Sequence, residues 1–321
     1  MNLPDWLVPL SDGVFQIDTF FHGDHFDAAY LIVEQGRAAF VDTGTNHGVP
    51  RLLAALDALG LAAEAVDWVI PTHVHLDHAG GVGLLMRALP AATLVVHPRG
   101  ARHLIDPTAL FQGALAVYGA TAMARDYGVL LPVAAHRVRE AGADETLPLA
   151  GRPLRLLDTP GHARHHLCVW DAASGGWFTG DTFGLSYRCH DTAAGPWILP
   201  TSSPVQFEPD ALHRSLDRLL ETTPRWMYLT HFGRVGDVPR LAGLLHEQID
   251  AMVALARPLA ALPATERHAA LKQALAELYR AQLQRHGLPD LDQGLRALKV
   301  DIELNAQGLA VWLDRERGAA R

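Results

Sequence analysis

Two cysteines, Cys168 and Cys189, are all that 321 residues carry. That is too few for a disulfide scaffold and suits a reducing compartment. Basic residues are scarce as well: 27 Lys and Arg stand against 35 Asp and Glu, a net charge of −8. A surface of that sign repels nucleic acid backbones, so no nucleic-acid partner is expected. Charged residues of all kinds make up 19%, a little under the common ~25%. No apolar run reaches the roughly 18 residues that a membrane-spanning helix needs, and no membrane partner is expected. The opening MNLPDWLVPL has no basic stretch, and Pro4, Asp5 and Pro9 interrupt it. No secretory signal is therefore expected, and the expected location is the cytoplasm. The apolar share of 49% is ordinary. The length suits about two domains and a core that needs no covalent staple.

Histidine is the residue in excess, with 18 copies. Imidazole is the commonest metal ligand and titrates nearest neutral pH, so its placement is what to follow. Short β-branched runs alternate with Ala/Leu-rich stretches over the first three-quarters of the chain. Strands are predicted at 37–41, 66–70, 92–97, 154–157, 177–179 and 225–229, and helices at 48–59, 81–89, 101–104, 107–127 and 210–221. That alternation indicates a layered α/β domain. Beyond residue 238 only helices are predicted, at 240–255, 265–286, 291–304 and 309–317, with Thr265 as a cap and a break at 305–308. The expected organisation is a site-bearing domain over 1–238 and a helical extension over 239–321. Leu271, Leu275 and Leu278 should form a buried stripe, and the extension should border the site or a dimer contact.

The chemistry concentrates in Thr72-His73-Val74-His75-Leu76-Asp77-His78-Ala79-Gly80-Gly81, directly after the apolar run VDWVI. His73 and His75 are two apart, so on extended chain they point the same way and can reach one metal. Asp77 and His78 follow as the chain turns, where Gly80-Gly81 permits a tight approach, and would face a second point nearby. Burying three histidines and an aspartate at a strand end without a metal would be costly. Three later segments repeat the design: LRLLDTPGH ends in His162, GGWFTGD in Asp181, and RWMYLTHFG carries His231. Ligands at the ends of several strands would share one crevice, where open α/β sheets place their sites.

These motifs resemble those of the metallo-β-lactamase fold hydrolases. The family's five appear in order: Asp42 in VDTG, HxHxDH at His73–His78, the GH histidine His162, the GD aspartate Asp181 and the late His231. The resemblance implies an αββα four-layer sandwich, here with a helical C-terminal extension, and two divalent ions. By motif, His73, His75 and His162 would hold the first, Asp77, His78 and His231 the second, and Asp181 would bridge them. Three imidazoles suit a tetrahedral zinc with one open position. Zinc is the first expectation, and the ligand set also suits manganese or iron. Ions about 3.5–4 Å apart could share a water and acidify it to a hydroxide that attacks a carbonyl. Asp181 and Asp77 are the catalytic candidates, Asp77 as the proton shuttle to the leaving group. Asp42 reads either as the residue that orients a histidine or as a plain turn aspartate.

His166 is expected in packing or in hydrogen bonding to a ligand, beside His165. Tyr187, six residues after Asp181, could donate to an oxyanion, and a core or rim position is the better reading. Arg188, His22, His103 and His190 are candidates for the mouth of the site, each with a solvated surface position as the better single reading. Cys168 reads as core, and nothing marks Cys189 as a nucleophile. The leading expectation is a metal-dependent hydrolase of an ester, lactone or thioester, acting on a small molecule, with a homodimer as a possible assembly. The alternatives are a glyoxalase II-like glutathione thioesterase and an oxygenase resembling persulfide dioxygenases, with one iron held by two histidines and an aspartate. The late LTHFG and the altered TPGHARHH depart from the glyoxalase pattern.

Overall fold

Period-two alternation of apolar side chains builds two cores back to back, because successive residues of a strand point to opposite faces. The computed structural model describes residues 3–142, 144–202 and 205–319. One sheet runs β1 (Leu7–Pro9), β2 (Val14–Asp18), β3 (Ala28–Glu34), β4 (Arg37–Val41), β5 (Val66–Ile70), β6 (Thr93–Val96) and β7 (Val138–Glu140), in that spatial order. Its pairings are antiparallel up to β4 and parallel from β4 to β7. The other sheet runs β8 (Thr146–Leu149), β9 (Arg152–Asp158), β10 (Leu167–Asp171), β11 (Gly176–Gly180), β12 (Trp226–Leu229) and β13 (Gly233–Val235). There β8 to β11 are antiparallel, and β11 and β12 are parallel.

The helices are α1 (Val49–Ala58), α2 (Leu76–Ala79), α3 (Val82–Ala88), α4 (Pro98–Ile105), α5 (Thr108–Ala122), α6 (Pro209–Leu220), α7 (Val238–Ala256), α8 (Ala264–Arg285), α9 (Leu291–Ala297) and α10 (Lys299–Ala319). Among the described residues, no helix is long and apolar enough to cross a membrane. The chain forms two compact units. The first is Met1–Asp158, His165–Gly180 and Trp226–Arg234; the second is Thr159–Arg164, Asp181–Arg225 and Val235–Arg321.

In the first unit, Leu31, Phe40, Leu94 and Val96 pack under Leu52 of α1 and under Val82 and Leu85 of α3. Their neighbours Tyr30, Ile32, Ala39, Val41 and Val95 turn the other way and meet Leu154, Leu156, Leu167, Val169, Phe178 and Tyr228 of the second sheet. Burial of a large apolar side chain contributes about 1.5–3 kcal/mol, so this double layer is the main source of stability. The result is an α/β sandwich of two mixed sheets and helices, as the family resemblance implied.

The predicted strands at 37–41 and 66–70 are found as predicted. β2, β3 and β10 were not predicted, because they are buried on nearly every residue and so show little polar alternation. Three details of the tail are corrected. Its break falls at Leu298, and 305–308 lies inside α10. Pro263 rather than Thr265 precedes α8. Leu271 and Leu275 are buried, but Tyr279 and Leu283 continue the stripe and Leu278 is only half-buried. The helix thus meets its neighbours along a four-residue spacing.

Tertiary contacts explain why α10 runs through the predicted break. The Asn305 side chain accepts from the Ser202 N–H at 2.6 Å and donates to the Tyr279 hydroxyl at 2.8 Å. Gly308 lies so close to the chain at Ser202 that a Cβ there would sit 1.4 Å from the Ser202 carbonyl oxygen. Gly243 in α7 has nothing within 4 Å of the corresponding position. Gly→Ala inside a helix normally stabilises by about 0.5–1 kcal/mol. Gly243→Ala should therefore raise the thermal midpoint by a few degrees, and Gly308→Ala should lower it sharply. Thermal unfolding by circular dichroism checks both, and a rise in both would show that Gly308 is not pressed against Ser202.

Candidate metal centre

Parallel pairing places the ends of β4 and β5 side by side, with Val41 opposite Ile70. The chain leaves β4 at Asp42 and β5 into the HxHxDH segment. Asp42 is 1% exposed and sits at φ 57, a left-handed backbone that Asp tolerates better than most residues. Its Oδ1 accepts from the Thr72 N–H at 2.7 Å and the Thr72 hydroxyl at 2.9 Å. Its Oδ2 accepts from the Thr230 hydroxyl at 2.7 Å and faces His78 Nδ1 at 2.8 Å. One carboxylate thus ties the ends of β4, β5 and β12 to a histidine of the motif. Of the two readings of Asp42, the structure shows the orienting one.

The same device recurs around the other imidazoles. Thr72 Oγ1 donates to Asp42, which leaves it to accept from His73 Nδ1 at 3.2 Å. His231 Nδ1 faces the Phe26 carbonyl oxygen at 3.0 Å. His162 Nδ1 faces the Thr201 carbonyl oxygen at 3.3 Å. Each of these Nδ1 contacts is shorter than any contact of the same ring's Nε2 with a carboxylate, so Nδ1 takes the proton of the neutral ring and Nε2 keeps its lone pair. His73, His78, His162 and His231 therefore all present Nε2. His75 presents Nδ1, 2.7 Å from His73 Nε2.

In the first unit, Asp77, His78 and His231 offer ligand atoms within 4.8 Å of one another. Asp77 Oδ2 is 3.3 Å from His231 Nε2 and 3.7 Å from His78 Nε2. In the second unit, His162 Nε2 is 3.4 Å from Asp181 Oδ2. All of these groups are buried except His75 and Asp77, which are partly exposed. Buried lone pairs of neutral imidazoles converging beside carboxylates are what a divalent ion requires and what water-free protein avoids. The donor set fits a metal.

Several contributors lay outside the sequence reading. Thr72 and Thr230 each precede a candidate ligand, and the repeated Thr-His pair at two strand ends was the available signal. The Phe26 and Thr201 carbonyls had none. Asp27, wholly buried, takes a hydrogen bond from the Thr19 hydroxyl at 2.7 Å. Burial pushes its carboxyl up to about 7, while the nearby His231 and His78 pull it down. Gly180, at φ 47, is pressed against the motif: a Cβ there would lie 2.4 Å from Thr72 Oγ1 and 2.7 Å from His166 Nε2.

His166 is buried and stacks on His73, with ring centroids 4.8 Å apart. His165 Nδ1 accepts from the Val74 N–H at 3.5 Å. The Tyr187 hydroxyl donates to Asp301 at 3.1 Å, so Tyr187 is a core residue that anchors α10. His190 is neither at a mouth nor solvated: it is fully buried and donates from Nε2 to the Gly294 carbonyl at 3.0 Å, and burial lowers its pKa. His22 is exposed, and Arg188 and His103 are half-exposed. Cys168 is core and Cys189 is exposed.

Removing the Asp42 carboxylate would strand two buried hydroxyls, a buried N–H and the proton of His78. Asp42→Ala should cost on the order of 3–5 kcal/mol, the scale for losing one member of a buried charged network. It should also weaken metal retention about 10–100-fold, as is typical when a ligand loses its supporting partner. Denaturant unfolding and elemental analysis after dialysis against a chelator measure the two effects. Unchanged metal content would show that His78 does not need Asp42.

The sequence profile described as the metallo-beta-lactamase superfamily matches residues 22–231. A metallo-beta-lactamase fold-containing protein of Sulfurisphaera tokodaii is 27% identical over 215 residues, which cover 64% of this chain and 72% of that one. A hydroxyacylglutathione hydrolase of Acidiphilium cryptum is 27% identical over 205 residues, covering 63% of this chain and 62% of that one. The solved structure of a metallo-beta-lactamase family protein from Thermus thermophilus has a TM-score of 0.61 at 23% identity, covering 98% of this chain and 93% of that one, and shares the fold. The profile spans most of the chain and every candidate ligand, and the chain belongs to the metallo-beta-lactamase superfamily.

Proposed function

We propose that this protein is a dinuclear metal-dependent hydrolase of an ester, lactone or thioester. The observation that carries this reading is the uniform presentation of Nε2 by His73, His78, His162 and His231, each with Nδ1 held by an oxygen. In this reading His73, His75 and His162 hold one ion and Asp77, His78 and His231 the other, with Asp181 shared. Zinc is the first candidate, and manganese or iron would be held by the same donors. Two divalent ions there would supply Lewis-acid chemistry, acidifying water and polarising a carbonyl.

The chain's own residues divide the remaining work. The Asp181 side chain is 8% exposed and Asp77 25%. The more open carboxylate suits exchange of a proton with the departing alcohol or thiol, and the more enclosed one suits neutralising cation charge. His166, stacked on His73, fixes that ring's plane. The substrate is a small molecule, and the chain acts in the cytoplasm without nucleic acid or membrane. A thioester is favoured among the carbonyl substrates by the likeness to the hydroxyacylglutathione hydrolase, although LTHFG and TPGHARHH depart from that pattern.

Elemental analysis joined to an ester, lactone and thioester panel tests the proposal. About two ions per chain are expected at the HxHxDH centre, whereas about one iron there with oxygen consumption would favour the oxygenase reading. Asp181→Ala should lower occupancy of both ions and abolish turnover, while Asp77→Ala should mainly empty the second. Two facing divalent charges with less neutralisation repel by several kcal/mol even at a moderate effective dielectric. An Asp181→Asn protein with normal metal content and near-normal rate would overturn the dinuclear reading.

A further inference from the structure

Two helices of the second unit face each other with the same short pattern, His-x-x-x-Asp. It reads His213-Arg-Ser-Leu-Asp217 on α6 and His246-Glu-Gln-Ile-Asp250 on α7. Four-residue spacing puts the imidazole and the carboxylate on one helix face. The pairs then cross over. His213 Nε2 is 3.1 Å from Asp250 Oδ1, and His246 Nε2 is 3.4 Å from Asp217 Oδ1. Between them, His213 Nδ1 and His246 Nδ1 are 2.6 Å apart, with the two rings 4° from parallel. Each carboxylate holds the proton of its histidine on Nε2, so each Nδ1 keeps its lone pair. Two lone pairs cannot face each other at that distance unless something positive lies between them. That is either a shared proton, which makes one histidine an imidazolium, or a metal ion.

We propose that His213 and His246 form a second metal site, distinct from the HxHxDH centre, for a divalent first-row transition ion such as zinc, nickel or copper. Both ligands already have the carboxylate support typical of metal-bound imidazole. Nitrogens about 2.0–2.1 Å from a tetrahedral ion lie roughly 3.3 Å apart, so the pair needs to open by less than about 1 Å. The two histidine side chains are 23% and 29% exposed, which leaves room for entry. His213 and Asp250 border a cleft of about 480 Å³ from which waters can complete the coordination shell. The ion would clip α6 to α7.

Calorimetric titration of chelator-treated protein with Zn2+, followed by elemental analysis after gel filtration, tests the site. Wild-type protein should hold one more ion per chain than either His213→Ala or His246→Ala. Asp250→Asn changes a well-exposed side chain that the fold does not need, and should weaken that extra ion about 10–100-fold. It carries the test if a histidine variant fails to fold. Zn2+ should also raise the thermal midpoint of wild type by more than that of His246→Ala. Equal zinc content in wild type and a folded histidine variant would overturn the proposal and leave the pair as a proton-sharing contact. So would an Asp250→Asn protein whose zinc isotherm matches that of wild type.

Discussion

The buried Asp42 carboxylate is the interaction on which the rest of the centre depends. A charge inside a protein is tolerated only when its lone pairs are used, and here four groups use them: the Thr72 N–H, the Thr72 and Thr230 hydroxyls and His78 Nδ1. Those groups come from the ends of β5 and β12 and from the motif between β5 and α3. The aspartate is therefore both a joint between strands of the two sheets and the device that sets a histidine's tautomer. Fold stability and site geometry are coupled through one side chain.

From that joint the order spreads outward one hydrogen bond at a time. Thr72 satisfies Asp42 with its proton and then receives His73 Nδ1 on its lone pair. Backbone carbonyls do the same for His231 and His162. Without those partners an imidazole flips about χ2 and exchanges its proton between Nδ1 and Nε2 at little cost. With them, the nitrogen offered to a ligand is decided before any ligand arrives. Preorganisation of this kind lowers the cost of assembling a multi-ligand centre.

The second unit follows other rules. Its helices meet through polar side chains set into apolar stripes, such as Asn305 against Ser202 and Tyr279, and Tyr187 against Asp301. Such contacts specify which helix lies where, whereas an apolar surface alone would accept several registers. The reciprocal His-Asp pairs of α6 and α7 extend this polar matching to the unit's surface.

How much of this was legible in the sequence varies with the range of the interaction concerned. The period-two alternation at 37–41 and 66–70 and the dense HxHxDH segment were legible because they are local: side-chain direction follows from spacing alone. His162, Asp181 and His231 were legible from their Gly-flanked strand ends and from the family resemblance. β3 and β10 were hidden because burial on both faces erases the alternation. The helix through 305–308 was hidden because Asn and Gly favour a break locally, and only the contact with Ser202 reverses that preference. The sequence by itself determined the fold class and nominated the histidines and aspartates that are candidate ligands. The tertiary structure alone decided which ring nitrogen each histidine presents, that Asp42 is a hub rather than a turn residue, and that His213 and His246 meet. Each of those rests on a hydrogen bond between residues far apart in the chain, and spacing along a sequence carries no information about such partners.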